Sequence, residues 1–175
     1  MQIRAATPAD ALAIAAIYDE AVRTGTASFE IEPPGPQEMA RRIAAVLAQG
    51  YPYLVAEGEA GFLGYAYVNA FRPRPAYGRT VEDSIYVAPS AQGRGVGRAL
   101  LARLMDRCEE NGYRQMVAVI GDSANLGSIA LHRACGFVDA GLLKSTGLKF
   151  GRWIDTVLMQ RALGPGDADV PAGGA

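Results

Sequence analysis

The run Gln92-Gly93-Arg94-Gly95-Val96-Gly97 constrains this chain more than any other stretch. An apolar strand pattern ends at Val87 before it, and a helical pattern begins near Gly97 after it. Three glycines in five residues let the backbone turn tightly and approach a ligand with no Cβ in the way. A helix starting there aims its unpaired first N–H groups, and the positive end of its dipole, at the same spot. That combination suits a phosphate or diphosphate; the other reading is a plain glycine-rich turn. Two better-known cradles fail by letter. A P-loop needs a Lys after its last glycine, and the dinucleotide fingerprint needs a glycine at position 98, where Arg98 stands.

A chain of 175 residues, half of them hydrophobic and a fifth charged, is expected to form one domain over residues 1–163. From Gly164 the residues Gly, Pro, Asp and Ala cannot bury a face, so 164–175 reads as a disordered tail. The net charge of −1 gives no pull toward nucleic acid or an anionic membrane, and neither is expected as a partner. Cys108 and Cys135 both fall in helical apolar patterns and read as buried free thiols rather than a disulfide or ligand pair. With one histidine, His132, no His-based metal site can be assembled, so none is expected. Gly121-Asp122-Ser123-Ala124-Asn125 does not make a G-x-S-x-G nucleophile elbow. The apolar run Ala11 to Ile17 is too short to span a membrane and is flanked by Asp10 and Asp19-Glu20. It reads as an amphipathic helix of a soluble, cytoplasmic protein.

Hydrophobic periodicity predicts a strand at Gln2–Ala6, helices over about Pro8–Arg23 and Gln37–Gln49, and a hairpin of Tyr51–Glu57 with Phe62–Phe71. A strand at Thr80–Val87, a helix presenting Leu100, Leu101, Leu104, Met105 and Cys108 on one face, and a doubly covered strand at Met116–Ile120 then form a right-handed βαβ unit. The glycine loop sits at the carboxyl end of its first strand. A helix from Asn125 to Cys135 and strands near Phe137–Leu148 and Trp153–Leu163 complete a mixed α/β fold with a partly parallel sheet.

Three places carry candidate chemistry. Asn125, Ser128 and His132 stand at i, i+3 and i+7 on one helical stripe, which is either a solvated face behind an Asn cap or a working one. In the strand Thr80–Val87, Glu82, Ser84 and Tyr86 share one face while Asp83, Ile85 and Val87 share the other. A carboxylate in a central strand is costly unless it is ion-paired or working, and alternation does not choose between Glu82 and Asp83. Arg72-Pro73-Arg74, with Arg79 beyond, offers fixed cations suited to gripping a carboxylate or phosphinate, or else forms a stiff solvated loop.

Q-x-x-G-x-G at Gln92–Gly97, followed by Asn125-x-x-Ser128 and Gly136-Phe137, resembles the two acyl-CoA motifs of the GNAT superfamily of N-acetyltransferases. Thr26–Glu30, Gly50-Tyr51-Pro52, Thr80-Val81-Glu82 and Lys149-Phe150-Gly151-Arg152-Trp153 extend the likeness. From about residue 2 to residue 163 the chain is similar to the phosphinothricin and methionine sulfoximine N-acetyltransferase branch, which acts on small amino-acid-like compounds. The resemblance implies the GNAT fold, a homodimer, acetyl-CoA as co-substrate and no metal. It implies that Glu82 is the base, that Ile85, Tyr86 and Val87 pair with the pantetheine arm, and that Gly93, Arg94, Gly95, Val96, Gly97 and Arg98, entered from Gln92, hold the diphosphate. It further implies that Asn125 bonds the arm, with Ser128 beside it, and that Arg72, Pro73 and Arg74 touch substrate. Many superfamily members carry Tyr at the position of His132, as proton donor to the departing thiolate. An imidazole can also protonate a thiolate whose free pKa is about 8.5, as can a water. The alternatives to a small-molecule enzyme are an acyl-CoA-binding sensor without turnover and an enzyme for peptide or other amines.

Overall fold

The computed structural model describes residues 1–59 and 61–171. Its elements are β1 (Gln2–Ala5), α1 (Ala11–Thr24), α2 (Gly35–Ala48), β2 (Tyr53–Gly58), β3 (Gly61–Ala70), β4 (Thr80–Val87), α3 (Val96–Glu110), β5 (Gln115–Gly121), α4 (Leu126–Ala134), β6 (Val138–Lys149) and β7 (Arg152–Ala162). The predicted elements are all present, with ends shifted by one to three residues. The largest shift is at α1, where Pro8–Asp10 forms a separate 3₁₀ turn closed by a Thr7/Asp10 capping box. In the predicted hairpin turn Gly58–Gly61, Ala60 lies outside the described residues.

The seven strands form one sheet in the order β1-β2-β3-β4-β5-β7-β6. Every neighbouring pair is antiparallel except β4 and β5, joined through α3 as the expected parallel crossover. Alternation along the strands feeds two cores. Tyr53, Val55 and Tyr65 face α1 and α2, burying Ile14, Tyr18, Val22 and Ile43. Leu54, Ala66, Val68, Val81 and Met116 face α3 and α4, burying Leu100, Leu101, Leu104, Cys108 and Ile129. The predicted apolar face of α3 is thus the buried one, and both cysteines are free and buried.

One feature of the sheet positions everything that follows. β4 and β5 pair only from Thr80↔Gln115 to Asp83↔Ala118. Beyond that point β4 stays on β3, through Ser84↔Tyr67 to Val87↔Gly64, while β5 stays on β7. The two central strands therefore splay apart, and from Ser84 to Val87 one backbone edge of β4 has no strand beside it. Val119, expected to be covered on both faces, is exposed because its β4 neighbour has already diverged.

Residues 164–171 turn back on the body rather than leaving it: the Gly166 N–H donates to the Leu163 carbonyl at 2.9 Å, and Arg114 pairs with Asp169 at 2.8 Å. A cation at the sheet end gives this polar segment a partner that composition did not reveal. Residues 172–175 lie outside the described part.

Candidate active site

A cleft of about 770 Å³ opens along the free edge of β4, beside Ile17, Glu20, Ala21 and Thr24 of α1. One wall is the free edge Ile85, Tyr86 and Val87; another is the glycine loop, with Gln92, Gly93, Gly95, Val96, Gly97 and Arg98; a third is α4, with Asn125, Ser128 and Leu131. Gly93 and Gly95 have φ of 71° and 80°, the left-handed region that glycine enters without strain. A Cβ at either would meet nothing within 4 Å, so both face open cleft. Gly97 serves differently. A Cβ there would come within 3.1 Å of Leu131 Cδ2 and 3.5 Å of Val87 Cγ2, so its hydrogen lets α3 pack tightly against α4 and β4. Gln92 Nε2 donates to the Val87 carbonyl at 3.4 Å, tying the loop to the strand end. Arg94 is exposed and forms no part of the cleft wall. The unpaired N–H groups at the start of α3, Arg98 and the helix dipole converge on one spot suited to a diphosphate.

The two carboxylates of β4 lie on opposite faces of the sheet. Glu82 is on the α1/α2 side, opposite Asn69 of β3, and is half-buried with no hydrogen bond or ion pair among the described residues. Burial raises its pKa above the ordinary carboxylate value, Arg72 opposes this, and neighbouring Asp83 adds to it. Asp83 is buried on the other side, its Oδ2 3.0 Å from His132 Nε2. The ring Nδ1 lies 2.7 Å from the Ser128 carbonyl oxygen and 3.4 Å from Ser128 Oγ. Burial alone would lower the His132 pKa. The hydrogen bond and charge of Asp83, with the Ser128 carbonyl, more than reverse that, and the net shift is upward. The stripe Asn125-Ser128-His132 thus faces inward, with Asn125 capping α4 by accepting the Ser128 N–H at 3.2 Å.

The arginines divide. Arg72 lies over the Phe71 ring at 4.4 Å, donates to the Phe71 carbonyl, and acts on Glu82 through its charge. Pro73 and Arg74 lead exposed into the short turn Pro75–Tyr77. Arg79 is not part of the site; it bonds the Gly112 carbonyl beyond the carboxyl end of α3.

Over the cleft lies the segment after α1, whose Gly25 and Ala27 form its rim. Buried Lys149 donates to the carbonyls of Gly25 and Ser28, both at 2.8 Å. Asp122, itself bonded by Arg152, accepts from Thr26 Oγ1 at 3.0 Å. A Cβ at Gly121 would stand 2.2 Å from the Thr26 carbonyl, and one at Gly147 would stand 2.6 Å from the Phe29 ring. The rim is therefore clamped down at several points.

Known proteins share this fold. Residues 3–158 match the acetyltransferase (GNAT) domain family. The chain belongs to the GNAT acetyltransferases. It is 58% identical over 169 residues to a phosphinothricin N-acetyltransferase of Alcaligenes faecalis, covering 97% of this chain and 86% of that one. It is 42% identical to an L-methionine sulfoximine/L-methionine sulfone acetyltransferase of Pseudomonas aeruginosa, covering 93% and 95%. Among solved structures, a GNAT superfamily phosphinothricin acetyltransferase from Sinorhizobium meliloti in complex with AcCoA superposes with a TM-score of 0.94 at 51% identity, covering 99% and 94%.

Sequence reasoning singled out the strand, loop and helix that line the cleft, but gave Asp83 no histidine partner and the clamp no function. Asp83 could be placed on a face by alternation, yet its partner is 49 positions away on α4. Lys149 and Arg152 belong to a segment matched only by likeness. A lysine amid an exposed strand pattern gives no hint that it will be buried against carbonyls more than 120 positions earlier.

Proposed function

We propose that the protein is an acetyl-CoA-dependent N-acetyltransferase that acetylates the amino group of a small amino-acid-like compound of the phosphinothricin or methionine sulfoximine type. The observation that carries this reading is the splay: beyond Asp83 the edge of β4 is free and lines the cleft of the glycine loop, while Glu82, unpaired among the described residues, stands at the point where the strands part. The loop from Gly93 to Arg98 and the start of α3 receive the diphosphate of acetyl-CoA. The free edge of β4 from Ile85 to Val87 pairs with the pantetheine arm, and Asn125 bonds it from α4. The thioester then rests where the strands part, and free N–H groups of the β4 edge polarise its carbonyl.

A substrate ammonium with a pKa of about 8–10 costs roughly 1.4–4 kcal/mol to deprotonate at pH 7. Glu82, its basicity raised by burial, takes that proton directly or through water. The neutral amine attacks the acetyl carbon, the C–S bond breaks, and the sulfur receives a proton from the His132 side of the sheet or from water. Arg72 grips the anionic end of the substrate, with Pro73 and Arg74 shaping that wall. Among the described residues no group of three His, Cys, Asp or Glu side chains could hold a metal ion, and the scheme requires none.

Two further points belong to this reading. β6 closes one end of the sheet with Val138, Leu142, Leu143 and Leu148 exposed, beside exposed Trp153, an apolar edge that a second copy would cover in a homodimer. Free Cys108 and Cys135 fit a reducing cytoplasm. The test is coenzyme A release across phosphinothricin, methionine sulfoximine, free amino acids and short peptides. Release with the first two at the highest kcat/KM supports the proposal. Binding of acetyl-CoA without release for any amine would establish a sensor instead, and preference for peptides a different acceptor.

A further inference from the structure

Asp83 has no part in the scheme above, yet it is the more deeply buried of the two carboxylates on β4. The geometry around its partner fixes where protons stand. The Ser128 carbonyl oxygen can only accept, so His132 Nδ1, at 2.7 Å, carries a hydrogen. Nε2 faces Asp83 Oδ2 at 3.0 Å, while Asp83 Oδ1 is buried with no partner to receive a proton's hydrogen bond. Two arrangements strand no donor, a carboxylate against a doubly protonated ring and a neutral acid donating to Nε2; the hydrogen bond and charge of Asp83, which raise the His132 pKa, favour the first. Among the described residues no charge other than that of Asp83 acts on the His132 ring. From α3, the Cys108 thiol is pushed up to about 12 by burial and stays neutral. Just past α4, the Cys135 thiol is likewise raised by burial, against the opposing charges of Arg98 and Arg161. The Phe137 ring meets His132 edge-on at 5.0 Å, and Glu82 is on the far face.

Both ring nitrogens are thus occupied, and neither is free to meet the sulfur itself. Ser128 is the link. It lines the large cleft and also the chamber of about 50 Å³ that holds Asp83 and His132, and its Oγ lies 3.4 Å from Nδ1. We propose that Asp83 is a positioning residue that holds His132 as an imidazolium, and that the Ser128 hydroxyl passes a ring proton to the departing sulfur. This rests on the acetyl-transfer reading. As the C–S bond breaks, its electron pair stays on sulfur, which takes the Oγ proton of Ser128. Oγ takes the Nδ1 proton of His132 in the same event, leaving a neutral ring with its Nε2 hydrogen on Asp83. Bare Nδ1 then opposes the Ser128 carbonyl, acceptor against acceptor, so the ring regains a proton from solvent, into which Glu82 releases the one taken from the amine.

The chain has a single histidine, so its ring signals need no assignment. Two-bond ¹H–¹⁵N spectra at pH 8 are expected to show both ring nitrogens protonated in the wild type and a neutral ring in Asp83→Asn. With methionine sulfoximine or phosphinothricin as acceptor, Asp83→Asn and Ser128→Ala are each expected to lose about tenfold or more in kcat, within the span of acid–base catalysis, while KM for acetyl-CoA changes far less. Ser128→Ala retains the carbonyl and should keep the imidazolium spectrum. A neutral ring in the wild type at pH 8, or wild-type kcat in Ser128→Ala, overturns the proposal. If Asp83→Asn does not fold, the wild-type spectrum and Ser128→Ala still decide it. An imidazolium spectrum from a protein that acetylates no amine would defeat the acetyl-transfer reading, and the relay with it, while leaving the charge pair in place.

Discussion

Glu82 and Asp83 are adjacent carboxylates on one strand, and the sheet gives them opposite circumstances. Glu82 faces the tyrosine-rich α1/α2 side, half-buried, with no hydrogen bond among the described residues. Asp83 faces the α3/α4 side, buried and bonded to an imidazole. A carboxylate left without partners in a partly desolvated place holds its proton more tightly, which suits a base that must accept one. A carboxylate bound to an imidazolium has its charge already spoken for, and suits holding something else in place. The splay begins just beyond this pair, and in the proposed reaction it lets the chemistry draw on both faces.

The largest expected effect tests Glu82. Glu82→Gln should lower kcat by roughly 10²–10⁴ with acetyl-CoA affinity little changed, measured by coenzyme A release beside a binding titration. In the wild type kcat/KM should rise with pH through a value above the ordinary carboxylate range, and this limb should vanish in the variant. Because the folded-state pKa of Glu82 is raised, ionising it costs stability above about pH 4.3. Glu82→Gln should therefore unfold at equal or higher urea concentration at pH 7, whereas Asp83→Asn should unfold at lower.

Next in size is the clamp. Lys149→Met strands the Gly25 and Ser28 carbonyls in a buried place, at a cost of about 1–3 kcal/mol in urea unfolding. It should also raise KM for acetyl-CoA, since Gly25 and Ala27 rim the cleft. A smaller effect follows from His132. Its folded pKa lies above the unfolded value of about 6.5, so the stabilisation it supplies is whole below that pH and fades as pH climbs through the raised value. The stability gap between wild type and Asp83→Asn should accordingly narrow as pH rises above about 6.5. The smallest effect is at Cys108: its buried thiol, pushed up to about 12, should resist iodoacetamide in the native protein and leave turnover unaltered.

Much of this was legible in the sequence because it is local. Glycines at fixed spacing, the 3.6-residue face of α3 and the alternation of β4 each depend on neighbours a few positions away, and each is found in the structure. What was hidden depends on distance along the chain. Asp83 meets His132, Lys149 meets Gly25, and Arg114 holds Asp169 only once the sheet order brings β4, α4 and the β6–β7 hairpin together. Even the inward stripe on α4 was ambiguous, since polar spacing alone does not say whether a helix turns that face to water or to a buried carboxylate.

The central claim is that the cleft at the splay seats acetyl-CoA through the glycine loop. Titration calorimetry of acetyl-CoA into the wild type and into Gly95→Val tests it most directly, because Gly95 sits at φ 80° and faces the open cleft. The account predicts saturable one-to-one binding by the wild type and binding weaker by about tenfold or more in the variant, where the left-handed backbone is strained by roughly 1–2 kcal/mol and a side chain enters the cradle. Absence of heat with folded wild-type protein, or equal affinity in both, would contradict it.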